Sequence, residues 1–213
     1  MNTLDRQTGF WDQRATDKVF THPLNREWFA NHVNRSAAVL DVGCGYGRLL
    51  AVLNEAGYTN TVGVDISPAM IERGKALYPE ADLRVWEGDA LPFGTDRFDG
   101  VLLVAVLNCI PTNTGQQLLI SEIHRVLKPG GVLFISDYPL QKDERNVKRY
   151  QKYQSIYGRY GTFEVSDGAV FRHHTMEWIA DLLSPFTQLA FHHINVSTMN
   201  GHPVRAFQYL GKK

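Results

Sequence analysis

The residues with the clearest chemical potential stand in a glycine-rich segment near the first predicted strand. Residues 39–47 read Val-Leu-Asp-Val-Gly-Cys-Gly-Tyr-Gly, so an acidic residue, Asp41, comes shortly before alternating glycines. Glycines let the backbone approach a ligand closely and adopt dihedral angles that other residues avoid. The amides at the start of the following helix favour a negative group, and the Asp41 carboxylate can hold an ammonium group. The segment is therefore predicted to bind a charged small ligand.

A similar glycine turn occurs in proteins that bind dinucleotides. Their fingerprint has a third glycine, which would fall at position 48, where this sequence has Arg48. A nicotinamide-dependent oxidoreductase is therefore a weak alternative for this segment.

Further segments follow the glycines in a characteristic order. Asp65 ends a predicted strand about twenty residues later, where an acidic side chain can accept the ribose hydroxyls. Gly88-Asp89-Ala90 follows a third predicted strand, Phe98-Asp99 opens a fourth, and the run Arg-Val-Leu-Lys-Pro-Gly-Gly at residues 125–131 precedes a fifth. In this order and spacing the segments resemble those of class I S-adenosylmethionine-dependent methyltransferases.

The resemblance implies S-adenosylmethionine as cofactor, with S-adenosylhomocysteine as its product. Asp41 would orient the methionine end, Asp65 would hold the ribose, and Asp89 would accept the adenine amino group. The other implied contacts, made through backbone or by packing, are those of Gly43, Cys44, Gly45, Ile66, Ala90, Leu103 and Val104. Residues 103–105 are wholly apolar where the family often has a small or polar residue, so backbone contact is expected there.

Apolar runs and helical patterns alternate along the chain and predict the elements that position these residues. The alternation implies a parallel sheet covered on both faces. The resemblance makes this an α/β, three-layer Rossmann-like sandwich with a seven-stranded, mostly parallel sheet and an antiparallel last strand. The predicted strands are Val39–Val42, Thr61–Asp65, Leu83–Trp86, Phe98–Leu103, Val132–Ser136, Phe186–Val196 and Val204–Leu210, and the predicted helices between them are Arg48–Ala56, Pro68–Leu77, Gln116–Leu127 and Thr175–Leu183.

The length of 213 residues fits one domain of this class. We expect residues 1–213 to form a single methyltransferase domain, with residues 1–36 as a largely helical N-terminal lid. Residues 138–174 are expected to form a small helix and hairpin cap inserted after the fifth strand, with Asp167-Gly168 as the hairpin turn.

Two features indicate where the methyl acceptor would bind. Residues 141–160 carry a surplus of four positive charges, from Lys142, Arg145, Lys148, Arg149, Lys152 and Arg159 against Asp143 and Glu144. This basic, tyrosine-bearing segment predicts an anionic or aromatic acceptor, with a solvated helix face as the alternative.

His174 and His202 are the candidate general bases, because imidazole titrates near neutral pH. His174 follows the hairpin and His202 lies between the last two strands, so both segments can reach the edge where ligands bind in such sheets. His173 is a weaker candidate, and an ordinary polar role is the alternative for each of them.

The bulk composition narrows the function further. Lys and Arg number 22, as do Asp and Glu, so the chain lacks the basic surplus typical of nucleic-acid binding. No apolar stretch approaches a membrane span, and the two cysteines, Cys44 and Cys109, form neither a disulfide framework nor a metal motif. We expect a cytoplasmic monomer or homodimer without a metal.

The sequence thus predicts transfer of a methyl group, by in-line displacement, to a small-molecule acceptor. Two alternatives stay open: a protein or RNA acceptor, and a protein that binds S-adenosylmethionine without transferring its methyl group. The run Asn-Cys-Ile-Pro at residues 108–111 is not the Asn/Asp-Pro-Pro-aromatic run of enzymes that methylate amino groups of nucleic acids.

Overall fold

A computed structural model describes residues 5–87 and 89–213. The strands are β1 (Val39–Val42), β2 (Thr61–Asp65), β3 (Asp82–Val85), β4 (Phe98–Val104), β5 (Leu127–Asp137), β6 (Thr162–Glu164), β7 (Val170–Arg172), β8 (Thr187–Ser197) and β9 (Pro203–Lys212). The helices are α1 (Thr8–Arg14), α2 (Arg26–Ala30), α3 (Arg48–Glu55), α4 (Pro68–Leu77), α5 (Asn113–Val126), α6 (Glu144–Tyr157) and α7 (Met176–Leu182), with a 3₁₀ turn at Leu107–Cys109.

Seven strands form one sheet in the order β3-β2-β1-β4-β5-β9-β8. The pairs from β3 to β5 are parallel, whereas β9 runs antiparallel to both β5 and β8. This arrangement confirms the predicted fold class, including the antiparallel last strand. Because β1, β2, β4 and β5 are parallel, the loops at their carboxyl ends meet at one edge of the sheet.

The central strands are buried because helices cover both faces of the sheet. All four residues of β1 are buried, and so are Val101, Leu102 and Leu103 of β4. Such continuous apolar runs are typical of parallel strands. The α4 helix begins as its sequence predicts, since the Ser67 side chain accepts a hydrogen bond from the Met70 amide and Pro68 occupies the first turn.

The N-terminal segment differs from the expectation of a largely helical lid. In its described part, from residue 5 to residue 36, only α1 and α2 are helical. Pro23 favours an extended residue before it, and the Asn25 side chain caps α2 by accepting from the Trp28 amide. The rest of the segment is irregular. Residues 5–24, called the strap below, run across the carboxyl edge of the sheet.

Residues 138–174 follow β5 and contain α6 and the hairpin of β6 and β7. Tyr150 of α6 is fully buried and packs with Phe163 and Phe171 of the hairpin.

Strand β5 begins earlier than the sequence predicts. The predicted turn at residues 128–131 falls inside β5, where the pairing with β4 shifts register. The glycines there form an irregularity in the strand and do not delay its start.

Candidate active site

A cavity of about 460 Å³ lies at the carboxyl edge of the sheet. Its walls come from the strap, the glycine loop, the ends of β2, β4 and β5, the hairpin and helix of residues 138–174, and the loop between β8 and β9. Parallel strands of this kind bind ligands at the same edge. The cavity therefore stands where the sequence predicts the cofactor and the acceptor.

The glycine loop shapes one wall of the cavity. Gly43, Gly45 and Gly47 have positive φ angles of 71°, 54° and 81°, which L side chains rarely adopt. A Cβ atom on Gly45 would stand 2.6 Å from Cε2 of Phe20 in the strap. The loop needs glycine at this position both for its backbone conformation and for the close approach of the strap.

Asp41 presents a buried carboxylate to this wall. Only 2% of the residue is exposed, and its Oδ2 atom has no hydrogen-bond partner among residues 5–87 and 89–213. Burial raises the pKa of Asp41 to about 8, and the Arg48 guanidinium opposes that shift. An unpartnered buried carboxylate lacks the compensation that such a group requires, and a ligand ammonium group would supply it.

Asp65 stands at the end of β2, and its carboxylate bonds both to the glycine loop and to the residue that caps α4. Its Oδ2 atom accepts a hydrogen bond from the Gly45 amide at 2.8 Å, and Oδ1 accepts from the Ser67 amide at 2.9 Å. Burial raises the pKa of this carboxyl group as well. Each carboxylate oxygen has a second lone pair, so ribose hydroxyl groups fit beside these two amides.

The structure brings most of the predicted cofactor residues to the cavity wall. Asp41, Gly43, Cys44, Gly45, Asp65, Ile66 and Val104 all line it. The Cys44 thiol donates to the Gly45 carbonyl oxygen, and burial raises its pKa well above the ordinary value, which suits a packing role. The residues present thus fit the ribose and methionine parts of S-adenosylmethionine.

Leu103, Asp89 and Ala90 are not among the residues that line the cavity. Leu103 is fully buried, because side chains alternate along β4 and its own points into the core. Asp89 is exposed and pairs with Arg6 of the strap at 2.6 Å. Gly88, the first residue of the segment Gly88-Asp89-Ala90, lies outside the described residues.

Residues of two neighbouring segments line the cavity in place of Leu103, Asp89 and Ala90. Ala90 is exposed, and its carbonyl oxygen accepts from Trp86 Nε1 at 2.9 Å. Trp86 itself lines the cavity, as do Ala105 and Val106 after β4. Ala105 has a φ of 56°, unusual for a residue with a Cβ atom, and it turns the chain over the glycine loop.

The predicted bases occupy different environments. His174 is fully buried and does not line the cavity; its Nε2 atom lies 2.9 Å from Gln116 Nε2, and burial lowers its pKa to about 3. Its neighbour His173 lines the cavity, because successive side chains of this extended segment point to opposite sides. His202 is exposed and lines the cavity near its rim.

His22 and Tyr138 are among the cavity residues that were not predicted from the sequence. His22 lies in the irregular strap, 3.2 Å from the Tyr138 hydroxyl through Nδ1 and 2.5 Å from Ser136 Oγ through Nε2. No motif marks a histidine in such a segment. Tyr138 directly follows the carboxyl end of β5, and that position was a signal that the sequence offered.

The wall formed by residues 138–174 is basic and aromatic. Arg145 and Arg149 line it, together with Phe163 and Phe171. The Arg149 Cζ atom stands 3.4 Å from the centroid of the Phe163 ring, and its buried Nε has no hydrogen-bond partner in the described part of the chain. Burial lowers the pKa of Arg149 to about 10, so the guanidinium stays charged at neutral pH.

Other kinds of site find no support in the described residues. Across residues 5–87 and 89–213, no group of His, Cys, Asp and Glu side chains could hold a metal ion. In the same ranges no helix has the length and apolar character needed to cross a membrane.

The fold and the site together are typical of one class of protein. The sheet order with its antiparallel last strand, the carboxylate before a glycine turn and the second carboxylate after β2 are the features expected of a class I methyltransferase. Comparison with known proteins agrees: residues 40–135 match the family described as methyltransferase domain.

Individual relatives are consistent with this class. An uncharacterized methyltransferase of Synechocystis is 39% identical over 99 residues, which cover 46% of each chain. A solved structure described as a SAM-dependent methyltransferase from Methanosarcina mazei superimposes with a TM-score of 0.83 at 23% identity, covering 91% of this chain and 99% of the other.

Residues 40–135 are therefore similar to a methyltransferase domain, and the fold is the one that solved S-adenosylmethionine-dependent methyltransferase structures share. The chain spans about half the length of the first curated relative that it matches. Other relatives are a 2-methyl-6-phytyl-1,4-hydroquinone methyltransferase, a ribosomal protein L11 methyltransferase and a probable tRNA methyltransferase. Their names cover a small molecule, a protein and an RNA, so the comparisons leave the type of acceptor open.

Proposed function

We propose that the protein transfers the methyl group of S-adenosylmethionine to a small molecule that carries an anionic group or an aromatic ring. The observation that carries this proposal is the cavity itself, which joins the cofactor wall around Asp41 and Asp65 to the basic, aromatic wall around Arg149. Its volume of about 460 Å³ falls within the range usual for small-ligand pockets.

The strap favours a small acceptor because it crosses the cavity and is tied on both sides. Gln7 donates to the carbonyl oxygens of Cys109 and Val170, and Lys18 donates to the Asn200 side chain. A folded protein or RNA would need an open face at this edge, whereas a small molecule fits beneath the strap.

The wall formed by residues 138–174 favours an anionic or aromatic partner. Arg145 and Arg149 supply positive charge, and an arginine fork pairs well with carboxylate groups. His173 adds an imidazole held at Nδ1 by the Tyr150 hydroxyl at 2.5 Å. Phe163 and Phe171 offer ring faces and edges for aromatic packing.

The rate of methyl transfer depends mainly on how well the acceptor atom is aligned with the methyl group. S-adenosylmethionine supplies a methyl group already activated on its sulfonium sulfur. Asp41 and the glycine loop would orient its methionine end, Asp65 would hold the ribose, and the strap would exclude water from the acceptor. Alignment of this kind can supply up to about 7–11 kcal/mol of the barrier reduction.

The test uses S-adenosylmethionine labelled on its methyl group, incubated with the protein and a cell extract that is afterwards split into metabolites, protein and nucleic acid. We expect label in the metabolite fraction, and its loss with Asp65→Ala but not with the exposed Asp82→Ala. Label in protein or nucleic acid would contradict the small-molecule acceptor. Absence of label together with tight S-adenosylhomocysteine binding would instead indicate a non-catalytic binding protein.

A further inference from the structure

The cavity wall holds a pair of hydrogen-bonded groups that cofactor binding does not use, His22 and Tyr138. Both line the cavity and both are buried, with exposed fractions of 5% and 8%. They come from separate parts of the chain, since His22 lies in the strap and Tyr138 follows β5. Their contact therefore exists only when the strap lies over the sheet edge.

The direction of these hydrogen bonds follows from the groups around them. Ser136 Oγ lies 3.2 Å from the Phe207 carbonyl oxygen, which can only accept, so the Ser136 proton is donated there. Ser136 Oγ must then accept from His22 Nε2, which carries the imidazole proton. In the neutral ring Nδ1 is left unprotonated, and it accepts the hydrogen bond of the Tyr138 hydroxyl group.

The charges near His22 keep the ring neutral. Burial lowers the pKa of His22 to about 4, and Arg48 at the start of α3 acts in the same direction. The Arg48 guanidinium also donates a hydrogen bond to the His22 carbonyl oxygen. At neutral pH Nδ1 is thus free of a proton, and its lone pair accepts the Tyr138 hydrogen bond.

The groups near Tyr138 keep its phenol protonated. Burial raises the pKa of Tyr138, and Asp137 on β5 and Cys109 after β4 act in the same direction. The His173 ring stands 5.5 Å from the Tyr138 ring, and burial lowers the His173 pKa so that it adds no charge at neutral pH. The phenol therefore donates to His22 while its oxygen lone pairs stay available on the cavity side.

We propose that Tyr138 is a catalytic residue that takes a proton from a hydroxyl group of the methyl acceptor and passes its own proton to His22 Nδ1. The inference rests on the proposed methyl transfer and specifies the acceptor atom as a hydroxyl oxygen. A neutral amine attacks through its lone pair and loses its proton afterwards, and a thiol ionises close to neutral pH. A hydroxyl group is the nucleophile that gains most from a proton acceptor during attack.

The atoms and charges of this step balance. The acceptor oxygen forms a bond to the methyl carbon as the carbon–sulfur bond breaks, and the sulfur keeps that electron pair. The hydroxyl proton moves to Tyr138 Oη while the Tyr138 proton moves to His22. One positive charge leaves the sulfur and one forms on the imidazole, so the net charge of the cavity is unchanged.

Two substitutions remove the two parts of this pair without removing the packing around them. Tyr138→Phe deletes the hydroxyl group and keeps the ring. His22→Gln places an amide near the Nε2 position, where it can still bond to Ser136, and removes the acceptor at Nδ1. Tyr157→Phe is the matched control, because the Tyr157 hydroxyl bonds to Glu164 and does not line the cavity.

The rate of label transfer to the metabolite fraction is measured from pH 6 to pH 10 for each protein. We expect both variants to be about 100-fold slower at pH 7, with unchanged affinity for S-adenosylhomocysteine by calorimetry. At saturating S-adenosylmethionine the wild-type rate should be flat with pH, whereas the variant rates should rise with pH, because the acceptor hydroxyl must then ionise by itself. A merely structural pair would not change the shape of the pH profile.

A second measurement does not depend on the acceptor. Nitrogen NMR of the His22 ring reports which nitrogen carries the proton, and we expect Nε2 to be protonated and Nδ1 to shift in Tyr138→Phe. The opposite tautomer, or a Tyr138→Phe rate equal to wild type, would overturn the relay alone. Absence of label with the wild-type protein, with S-adenosylhomocysteine still bound, would overturn the proposed function and the relay with it.

Discussion

The carboxylate of Asp41, which has no partner among residues 5–87 and 89–213, predicts that cofactor binding releases a proton. Without ligand, burial raises the pKa of Asp41 to about 8, so the group is largely protonated at neutral pH. An ammonium group bound beside it favours the charged form and lowers that pKa. Binding therefore requires loss of the proton wherever the pH lies below about 8. The association constant should rise with pH and level off as the pH passes that value.

The size of the effect follows from the fraction of Asp41 that is ionised before binding. With a pKa of about 8, roughly 1% is ionised at pH 6 and roughly half at pH 8. The association constant should therefore rise about 50-fold across this interval, or about 2.3 kcal/mol. Asp65, whose pKa is also raised by burial, acts in the same direction.

The same shift has a consequence for the ligand-free protein. A carboxyl group whose folded-state pKa lies above its unfolded value stabilises the folded state least when it is ionised. Asp41 should therefore lower the stability of the free protein as the pH rises from about 4 to about 8. Asp41→Asn should remove that loss, and thermal unfolding at pH 8 would show a higher midpoint for the variant.

Calorimetry with S-adenosylhomocysteine tests the binding prediction, since its ammonium group lacks the neighbouring sulfonium charge and stays protonated to higher pH. Titrations at pH 6.5 in two buffers of different ionisation enthalpy count the protons released. We expect close to one for the wild type, clearly fewer for Asp41→Asn, and the wild-type value for the exposed control Asp82→Asn. Binding that is independent of pH between 6 and 8, with no proton released, would refute the reasoning.

Three further predictions concern the glycine loop, the acceptor wall and the buried histidine. Gly45→Ala should weaken S-adenosylhomocysteine binding at least tenfold, because its positive φ and the strap leave no room for a Cβ atom; calorimetry measures this, and unchanged affinity would contradict it. Arg149→Met should raise the KM of an anionic acceptor about tenfold or more, whereas Lys148→Met, on the exposed side of α6, should not; equal KM values would remove Arg149 from acceptor binding. His174→Ala should lower stability by about 1–3 kcal/mol in urea unfolding, since it removes a fully buried imidazole with its contacts to Gln116 and the Tyr138 carbonyl oxygen, and should keep the pH profile of methyl transfer; a changed profile would restore His174 as a base.

The sheet and the glycine loop were predictable because their signals are local. A run such as Val39–Val42 is apolar along its whole length and meets glycines at its end, which predicts a buried parallel strand and a ligand turn together. Asp65 could be placed because it ends the next strand of the same pattern. The structure puts both carboxylates at one cavity wall.

The acceptor side was less predictable because it depends on contacts between distant segments. His22 meets Ser136 and Tyr138 across more than a hundred residues of chain, and nothing near His22 in the sequence marks that meeting. The pair His173-His174 shows a related difficulty. The sequence indicated the right segment, but the alternation of an extended chain decided which ring faces the cavity, and it is His173.

The strap also has a consequence for the binding and release of the cofactor and the acceptor. Asp12 accepts hydrogen bonds from Ser67 and Ala69 beside the cofactor wall, and Gln7 bonds to Val170 on the acceptor side. A single segment thus fastens the entrance for both ligands. We expect exchange of both ligands to require detachment of the strap, and the rate of that detachment would then set an upper limit on turnover. Product release, and not the chemical step, would then limit the turnover rate.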